Sequence, residues 1–256
     1  MKLATWNVNG IRARHLQVQE WIARERPDVV CLQELKAAPD QVPVTLYEMA
    51  GYWCYWHGGK GYSGVGLHVS KAFAPERPAF VHPSFDFENR IVAVEVRTED
   101  GDLSVASVYV PNGGKDFPAK MKFLEAMDAY ALSFQASSRA GEGQLVLMGD
   151  MNVARTERDV HPRERKPRAI GQLPEERAII ERLLGRGLVD VGRAMDPDND
   201  ELFTWWAPWR NMRQRNIGWR LDYVFASEAL ATRATACPVQ KDIGTSDHAP
   251  VVATFS

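Results

Sequence analysis

At 256 residues, with 45% hydrophobic and 25% charged side chains, the chain has the composition of an ordinary soluble globular protein and the length to bury a substantial core. Its net charge of −2 excludes a uniformly cationic nucleic-acid sponge, so any polyanion must be met by a local basic surface. No run of about 18 apolar residues predicts a membrane span, and Cys31, Cys54 and Cys237, without metal spacing, read as reduced core thiols of a cytoplasmic protein.

Lys2 to Trp6 predicts a short strand closed by the turn Asn7-Val8-Asn9-Gly10. From Arg12 to Arg24 the pattern is helical, with Leu16, Val18, Trp21 and Ile22 apolar and Pro27 ending it. Asp28 to Leu32 predicts a second buried strand, which delivers Gln33-Glu34. Gly51 to His57 is aromatic and strand-like, and Gly61 to Leu67 continues into a strand whose glycines allow close backbone packing. Arg90 to Val96 and Leu103 to Val110 flank Glu99-Asp100-Gly101-Asp102 and predict a hairpin, whose second strand runs into Tyr109-Val110-Pro111-Asn112. An amphipathic helix from Phe117 to about Phe134 leads into a polar linker, Ser133 to Gln144.

Leu145 to Gly149 is nearly continuous apolar character ending in glycine, a buried strand entering a tight turn. Asp150 and Asn152 follow, and an extended backbone there would project both to one side. Beyond them lies an irregular basic segment, Arg155 to Arg168, and a helix from Pro174 to Gly185. Phe203 to Trp206, Trp219 to Ser227 and Val251 to Phe255 read as strands, the last preceded by Ser246-Asp247-His248-Ala249-Pro250. Many strands in hairpin-like and mixed order, with few helices between them, argue against a simple doubly wound sheet.

A carboxylate at the end of a buried strand is costly to desolvate unless a cation, a donor or a substrate meets it. Asn7, Glu34, Asp150, Asn152 and Asp247 all stand at strand ends or in the turns that follow. Oxygen donors of this kind suit a hard cation such as Mg²⁺, whereas zinc would call for His and Cys clusters, and none in the sequence has the spacing; His15, His57, His68, His82 and His161 read as surface or capping residues. His248 sits beside Asp247, with Asp222 available in Arg220-Leu221-Asp222-Tyr223. An acid-oriented histidine keeps its proton and can hold an anionic oxygen as charge builds on it. The basic surface has a candidate as well: Arg210, Arg213, Arg215 and Arg220 fall in a stretch without an acid, among Trp205, Trp206, Trp209 and Trp219. Trp206 reads as core.

Asn7-Val8-Asn9-Gly10-Ile11-Arg12, Leu32-Gln33-Glu34-Leu35-Lys36, Gly61-Tyr62-Ser63-Gly64-Val65, Tyr109-Val110-Pro111-Asn112, Gly149-Asp150-Met151-Asn152, Gly218-Trp219-Arg220-Leu221-Asp222-Tyr223 and Ser246-Asp247-His248-Ala249-Pro250 stand in that order. Together they resemble the exonuclease III family of abasic-site endonucleases, within the endonuclease/exonuclease/phosphatase superfamily, over nearly the whole chain. The resemblance implies an α+β, deoxyribonuclease-I-like fold: a four-layer α/β/β/α sandwich of two packed mixed sheets, with residues 1–256 as one domain. It implies a Mg²⁺-dependent DNA repair nuclease, with Mn²⁺ able to substitute. Such an enzyme cuts duplex DNA on the 5′ side of an abasic site and acts on 3′ ends as an exonuclease and phosphatase. Its expected partner is that DNA, with no membrane, no inferable protein partner and a monomeric state.

The same resemblance implies roles. Glu34 would be the metal ligand, with Asn9 and Asp247 close to the metal. Asp150, positioned by Asn7, would orient or deprotonate the attacking water, with Tyr109 as a phenolate the rival assignment. Asn112, Asn152 and Tyr109 would contact the phosphate, and Asp222 with His248 would stabilise its developing charge. Trp205, Trp219 and Leu221 match a pocket for a flipped, baseless deoxyribose. Arg12, Lys36, Tyr62 and Lys115 match DNA-facing or site-bordering positions. Asn9 and Trp205 replace an Asp and a Phe of some relatives, and Lys115 stands where some have Arg, which leaves the balance of activities open. So do the number of metals and the role of the basic 155–168 segment.

Overall fold

The computed structural model describes residues 1–47, 49, 51–99, 101–137 and 143–256. Asp100, in the expected hairpin turn, and residues 138–142, in the expected linker, lie outside them. The chain opens with β1 (Lys2–Asn7), α1 (Ile11–Glu25), β2 (Val29–Gln33) and the one-turn α2 (Val44–Tyr47). Then come β3 (Tyr52–Gly59), β4 (Tyr62–Ser70), β5 (Phe80–Val81), β6 (Ile91–Thr98) and β7 (Gly101–Tyr109). The long helix α3 (Phe117–Ser137) leads to β8 (Gly143–Asp150), α4 (Pro174–Leu184), β9 (Leu188–Asp190) and the short α5 (Val191–Met195). The chain closes with β10 (Asp222–Ser227), α6 (Glu228–Ala231), β11 (Ala234–Ala236) and β12 (Val251–Phe255).

These strands build two six-stranded sheets, ordered β11-β12-β1-β2-β4-β3 and β5-β6-β7-β8-β10-β9. Strand alternation explains why they pack face to face. Leu3, Cys31, Leu67, Val105, Val146, Met148 and Val224 point inward and form one core between the sheets. The alternate residues point outward. Ala4, Trp6, Val30 and Leu32 pack against Val18, Trp21 and Ile22 of α1. Ala106, Val108, Leu145, Leu147 and Phe225 pack against Phe123, Leu124 and Met127 of α3 and Ile179, Ile180 and Leu183 of α4. The result is the four-layer α/β/β/α sandwich that the resemblance implies, with two mixed sheets. Towards one end the inter-sheet core turns polar: Thr5 Oγ1 donates to Gln33 Oε1 at 3.1 Å, and Gln33 Nε2 to Ser107 Oγ at 3.2 Å.

Two readings of the sequence change. Phe203–Trp206 and 219–221 are not ladder strands; Trp205 and Trp219 make isolated bridges to each other, to His248 and to Val160, and β10 begins only at Asp222. The Thr204 hydroxyl takes the N–H groups of Leu221 and Asp222 at 2.9 and 3.0 Å, replacing the carbonyls that a ladder would have supplied. The short strands β5, β9 and β11 were not expected, because two or three residues carry no readable period.

Candidate active site

Register delivers the chemistry to one end of the sandwich. The parallel β7–β8 pairing sets Tyr109 opposite Asp150, and the antiparallel β8–β10 pairing sets Asp222 opposite Asp150. Three candidate residues therefore stand abreast at the edge of the second sheet. In the first sheet Asn7 lies opposite Gln33, so the 7–9 turn and Glu34 leave together. The sheets meet where Asn7 Nδ2 donates to Asp150 Oδ2 at 2.8 Å. Asn9, Glu34 and Asn152 have φ of +43°, +56° and +50°, left-handed backbone that is costly for non-glycine residues and concentrated here. Asn152 is thus not in extended continuation of β8. Its N–H donates to Asp150 Oδ1 at 2.9 Å, and its carboxamide donates to Val110 O at 2.9 Å and to Asp150 Oδ2 at 3.3 Å. A tight turn, rather than strand periodicity, sets the carboxamide beside the carboxylate.

His248 completes the centre. Its Nδ1 donates to Asp222 Oδ2 at 2.8 Å, which leaves Nε2 facing Asp150 Oδ2 at 3.8 Å. Burial works against an imidazolium there, but the charges of Asp222 and Asp150 outweigh it and raise the His248 pKa above its usual 6.5. Burial pushes the Asp150 carboxyl up from the usual carboxylate range, with His248 opposing that rise and Asp222 adding to it. Tyr109 is also raised, by burial and then by the charges of Glu34 and Asp150, so its hydroxyl keeps its proton. For Asp247, burial is outweighed by His248 and by bonds from Asn9 and Trp205, and its carboxyl sits below the ordinary value.

Two groups at this end could hold a metal ion. Asp150, Asp222 and His248 lie close enough together to hold an ion, but their facing atoms already engage one another and Asn7. The second group is Glu34, Asn9 and Asp247. Lys36 Nζ sits 2.9 Å from Glu34 Oε1 and 2.6 Å from Asn9 Oδ1, and Asn9 Nδ2 donates to Asp247 Oδ1 at 2.7 Å. The Glu34 and Asn9 oxygens thus converge on an ammonium, with Asp247 joined to them through the Asn9 amide, and an all-oxygen set of this kind would suit a hard divalent ion.

Trp205, Trp219 and Leu221 come together with Ala154 and Val160 in an apolar cluster beside this centre. The two indoles meet edge to face, centroids 5.7 Å apart, and Trp205 lies 6.4 Å from His248. Trp205 Nε1 also donates to Asp247 Oδ2 at 3.0 Å, a bond that a phenylalanine could not make. Trp206 is buried at 1% exposure, as expected of core. Arg12, Tyr62, Asn112, Lys115, Arg210 and Arg215 are all exposed. Asn112 Nδ2 reaches Asn152 Oδ1 at 3.4 Å, so these two carboxamides form a pair.

Two arginines of the expected basic surface point elsewhere. Arg220 is 3% exposed and bonds Asp190 through Nη1 and Nη2 at 2.9 and 2.6 Å, and Asp159 through Nε at 2.8 Å. Arg213 donates to the carbonyls of Lys241, Ser246 and Ile243 at 2.7, 2.5 and 2.9 Å and stacks on Trp206. It therefore secures the loop that presents Asp247 and His248. In the basic 155–168 segment, Arg155 pairs with Glu181 and Asp190, and Arg158 with Asp200. Side chains that the sequence did not single out support the site. Lys120 donates to Asn152 O at 2.7 Å and Asn112 O at 3.2 Å. Arg90 lies over the Tyr109 ring at 4.8 Å, and Thr204 Oγ1 donates to Asp222 Oδ2 at 2.6 Å. A lysine inside an amphipathic helix and a threonine before two tryptophans carry no local signal of such roles.

The endonuclease/exonuclease/phosphatase family matches residues 4–248. Exodeoxyribonuclease III of Haemophilus influenzae is 34% identical, with all of both chains covered. Among solved structures, the 3′ phosphatase NExo from Neisseria, bound to a product DNA hairpin, superposes with a TM-score of 0.87 at 32% identity. That match covers 100% of this chain and 99% of the other. An AP endonuclease from Archaeoglobus fulgidus gives a TM-score of 0.83 at 29% identity, also over 100% and 99%.

Proposed function

The chain belongs to the endonuclease/exonuclease/phosphatase family and, within it, to the exonuclease III group, and from that membership we propose a Mg²⁺-dependent DNA repair nuclease. It hydrolyses the phosphodiester 5′ to an abasic site in duplex DNA and acts on 3′ ends as exonuclease and phosphatase, all within one catalytic domain spanning 1–256. The observation that carries this reading is the buried Asp150 carboxylate, bonded by Asn7 and facing a His248 that Asp222 backs. That arrangement joins a proton acceptor to a cationic donor, as water attack on a phosphodiester demands.

Asp150 takes the proton of the attacking water. Its raised pKa makes it a stronger base than a solvated carboxylate, which supports it over a Tyr109 phenolate. Tyr109 donates its hydroxyl to the phosphate instead, together with the Asn112 and Asn152 carboxamides. The His248 imidazolium, held by Asp222, meets the charge that builds on the phosphoryl oxygens. Glu34 would hold Mg²⁺, with Asn9 and Asp247 beside it, and the ion would supply positive charge to the phosphate. Trp205, Trp219 and Leu221 wall the space for a sugar without its base, and Arg12, Lys36, Tyr62, Lys115, Arg210 and Arg215 face the duplex.

The test is incision of a duplex carrying one abasic analogue, against the intact duplex, with Mg²⁺, Mn²⁺ or EDTA. Incision at the analogue is expected with either ion and lost in EDTA, and Glu34→Gln is expected to weaken Mg²⁺ affinity strongly. Full activity in EDTA, or an unchanged metal titration in that variant, removes Glu34 from the metal site.

A further inference from the structure

The two sheets also meet along one outer edge, outside the centre described above. β3 is the last strand of the first sheet and β5 the last of the second. Tyr55 of β3 stacks on Phe80 of β5 with ring centroids 4.9 Å apart. Beside this contact stand His57 from β3, His82 directly after β5, and Asp86 from the loop that precedes β6. The two imidazoles pack with centroids 4.1 Å apart, and His57 Nε2 donates to Asp86 Oδ2 at 2.6 Å. One nitrogen of each histidine and one Asp86 oxygen all lie within 4.8 Å of one another. We propose that His57, His82 and Asp86 form a second metal site, for a divalent transition ion of the zinc class, which clips the edges of the two sheets together.

The donor chemistry separates this site from the oxygen site at Glu34. Two imidazoles and one carboxylate are a set that Zn²⁺ takes when a fourth position is left to water, and one that Mg²⁺ avoids. The donors are also held from behind, as ligands usually are. Asp86 Oδ1 accepts the N–H groups of Arg90 and Ile91 at 2.9 and 3.1 Å, which turns Oδ2 towards His57. The Tyr55 hydroxyl meets His82 Nε2 at 2.8 Å, an exposed contact that leaves Nδ1 to face the other donors. To bind an ion the hydrogen-bonded His57–Asp86 pair must open from 2.6 Å and His82 must draw in, each towards the edge of a tetrahedron, about 3.3 Å for zinc. His82 is solvent-exposed and can make that approach by side-chain rotation. A His–Asp hydrogen bond alone would need no third donor, yet the third donor comes from the opposite sheet's edge segment. The consequence reaches the catalytic end through Asp86, which sets the start of β6, where Arg90 packs over the rings of Tyr62 and Tyr109 at 5.4 and 4.8 Å.

The experiment titrates Zn²⁺ into the full-length protein in excess Mg²⁺, in competition with a chromophoric chelator. A parallel titration with Co²⁺ is read by its visible ligand-field bands. The wild type and Glu34→Gln should each bind one tight equivalent, with tetrahedral Co²⁺ absorption. His82→Ala and Asp86→Asn should weaken binding at least about 10-fold and lose that absorption. Because His82 is exposed, circular dichroism of His82→Ala should match the wild type, so that a loss of binding cannot be assigned to unfolding. Equal binding in the wild type and His82→Ala overturns the proposal. So does loss of the equivalent in Glu34→Gln with retention in His82→Ala, which would put the ion in the catalytic centre, and so does the absence of any tight equivalent in the wild type.

Discussion

The most consequential residue is one that does no chemistry on its own, Asp222. Its Oδ2 accepts from both His248 and Thr204, while Oδ1, although buried, has no hydrogen-bond partner among the described residues. Its charge is the largest of those that offset burial and hold a proton on His248. The sign of the pH dependence follows. A histidine whose folded pKa lies above its unfolded 6.5 contributes stability that is complete below 6.5 and is lost as pH rises through the folded value. In the proposed mechanism the same proton meets phosphate charge, so activity should fall on the same alkaline side. Asp222→Asn keeps the shape and removes the charge. The alkaline limb of its kcat–pH profile should move down towards histidine's ordinary range, and its unfolding free energy should depend less on pH above 6.5. An unmoved limb would take Asp222 out of the mechanism. A second residue, Trp219, separates the sugar pocket from plain core. It is half-buried, and its indole N–H has no hydrogen-bond partner among the described residues. Trp219→Ala should cost roughly 1–3 kcal/mol of apolar contact with an abasic sugar while admitting normal nucleotides. Abasic incision should therefore fall relative to exonuclease activity on matched duplexes, and an equal fall in both would return Trp219 to the core.

Among the elements, α3 ties the outer layer to the site through one side chain. Lys120 and Glu176 of α4 are both fully buried and paired at 2.5 Å, and the same ammonium holds the carbonyls of Asn112 and Asn152. Lys120→Met strands a buried carboxylate, and such breaks cost about 3–5 kcal/mol. Its urea midpoint should drop accordingly, and adding Glu176→Gln should recover part of the loss by removing the unpaired charge. An unfolding free energy within about 0.5 kcal/mol of wild type, with an unmoved midpoint, would mean that the pair is solvated. This dependence explains what was legible beforehand. β1, β2, β7 and β8 were readable because each apolar run stops at a polar residue that no core would accept without a purpose: Asn7, Glu34, Tyr109-Val110-Pro111-Asn112 and Asp150. Their gathering at one end then follows from two sheets that pack face to face. Lys120, Arg90 and Thr204 were not readable, because their roles depend on tertiary partners far away in sequence. At Asn152 the sequence left open whether the backbone stays extended or turns, for a related reason: the Asp150 carboxylate captures the Asn152 N–H and bends the backbone out of the strand.

For the whole molecule, the balance of charge decides how it meets a polyanion. With a net charge of −2, long-range attraction is weak, and association rests on local patches that release counterions from the duplex. Counting arginines in the sequence overstates that patch, since charge shows in a sequence and side-chain direction does not. Of the four between residues 210 and 220, Arg220 is spent on Asp159 and Asp190, and Arg213 on the carbonyls of the 241–246 loop. Arg210 and Arg215 remain exposed, next to a Trp209 that is 60% exposed. The four should therefore separate in one experiment, duplex binding measured as a function of salt. Arg210→Ala and Arg215→Ala should each lower the slope of log K against log salt by about 1, the loss of one phosphate contact, without touching kcat. Arg213→Ala should leave the slope unchanged and lower kcat, because its loss frees the loop that carries Asp247 and His248. Arg220→Ala should act on neither directly but destabilise the fold, since the buried Asp159 and Asp190 lose the cation they share and keep only Arg193 and Arg155. A slope that falls for Arg213→Ala and stays constant for Arg210→Ala and Arg215→Ala would reverse this division and place the duplex on the other side of the 207–216 loop.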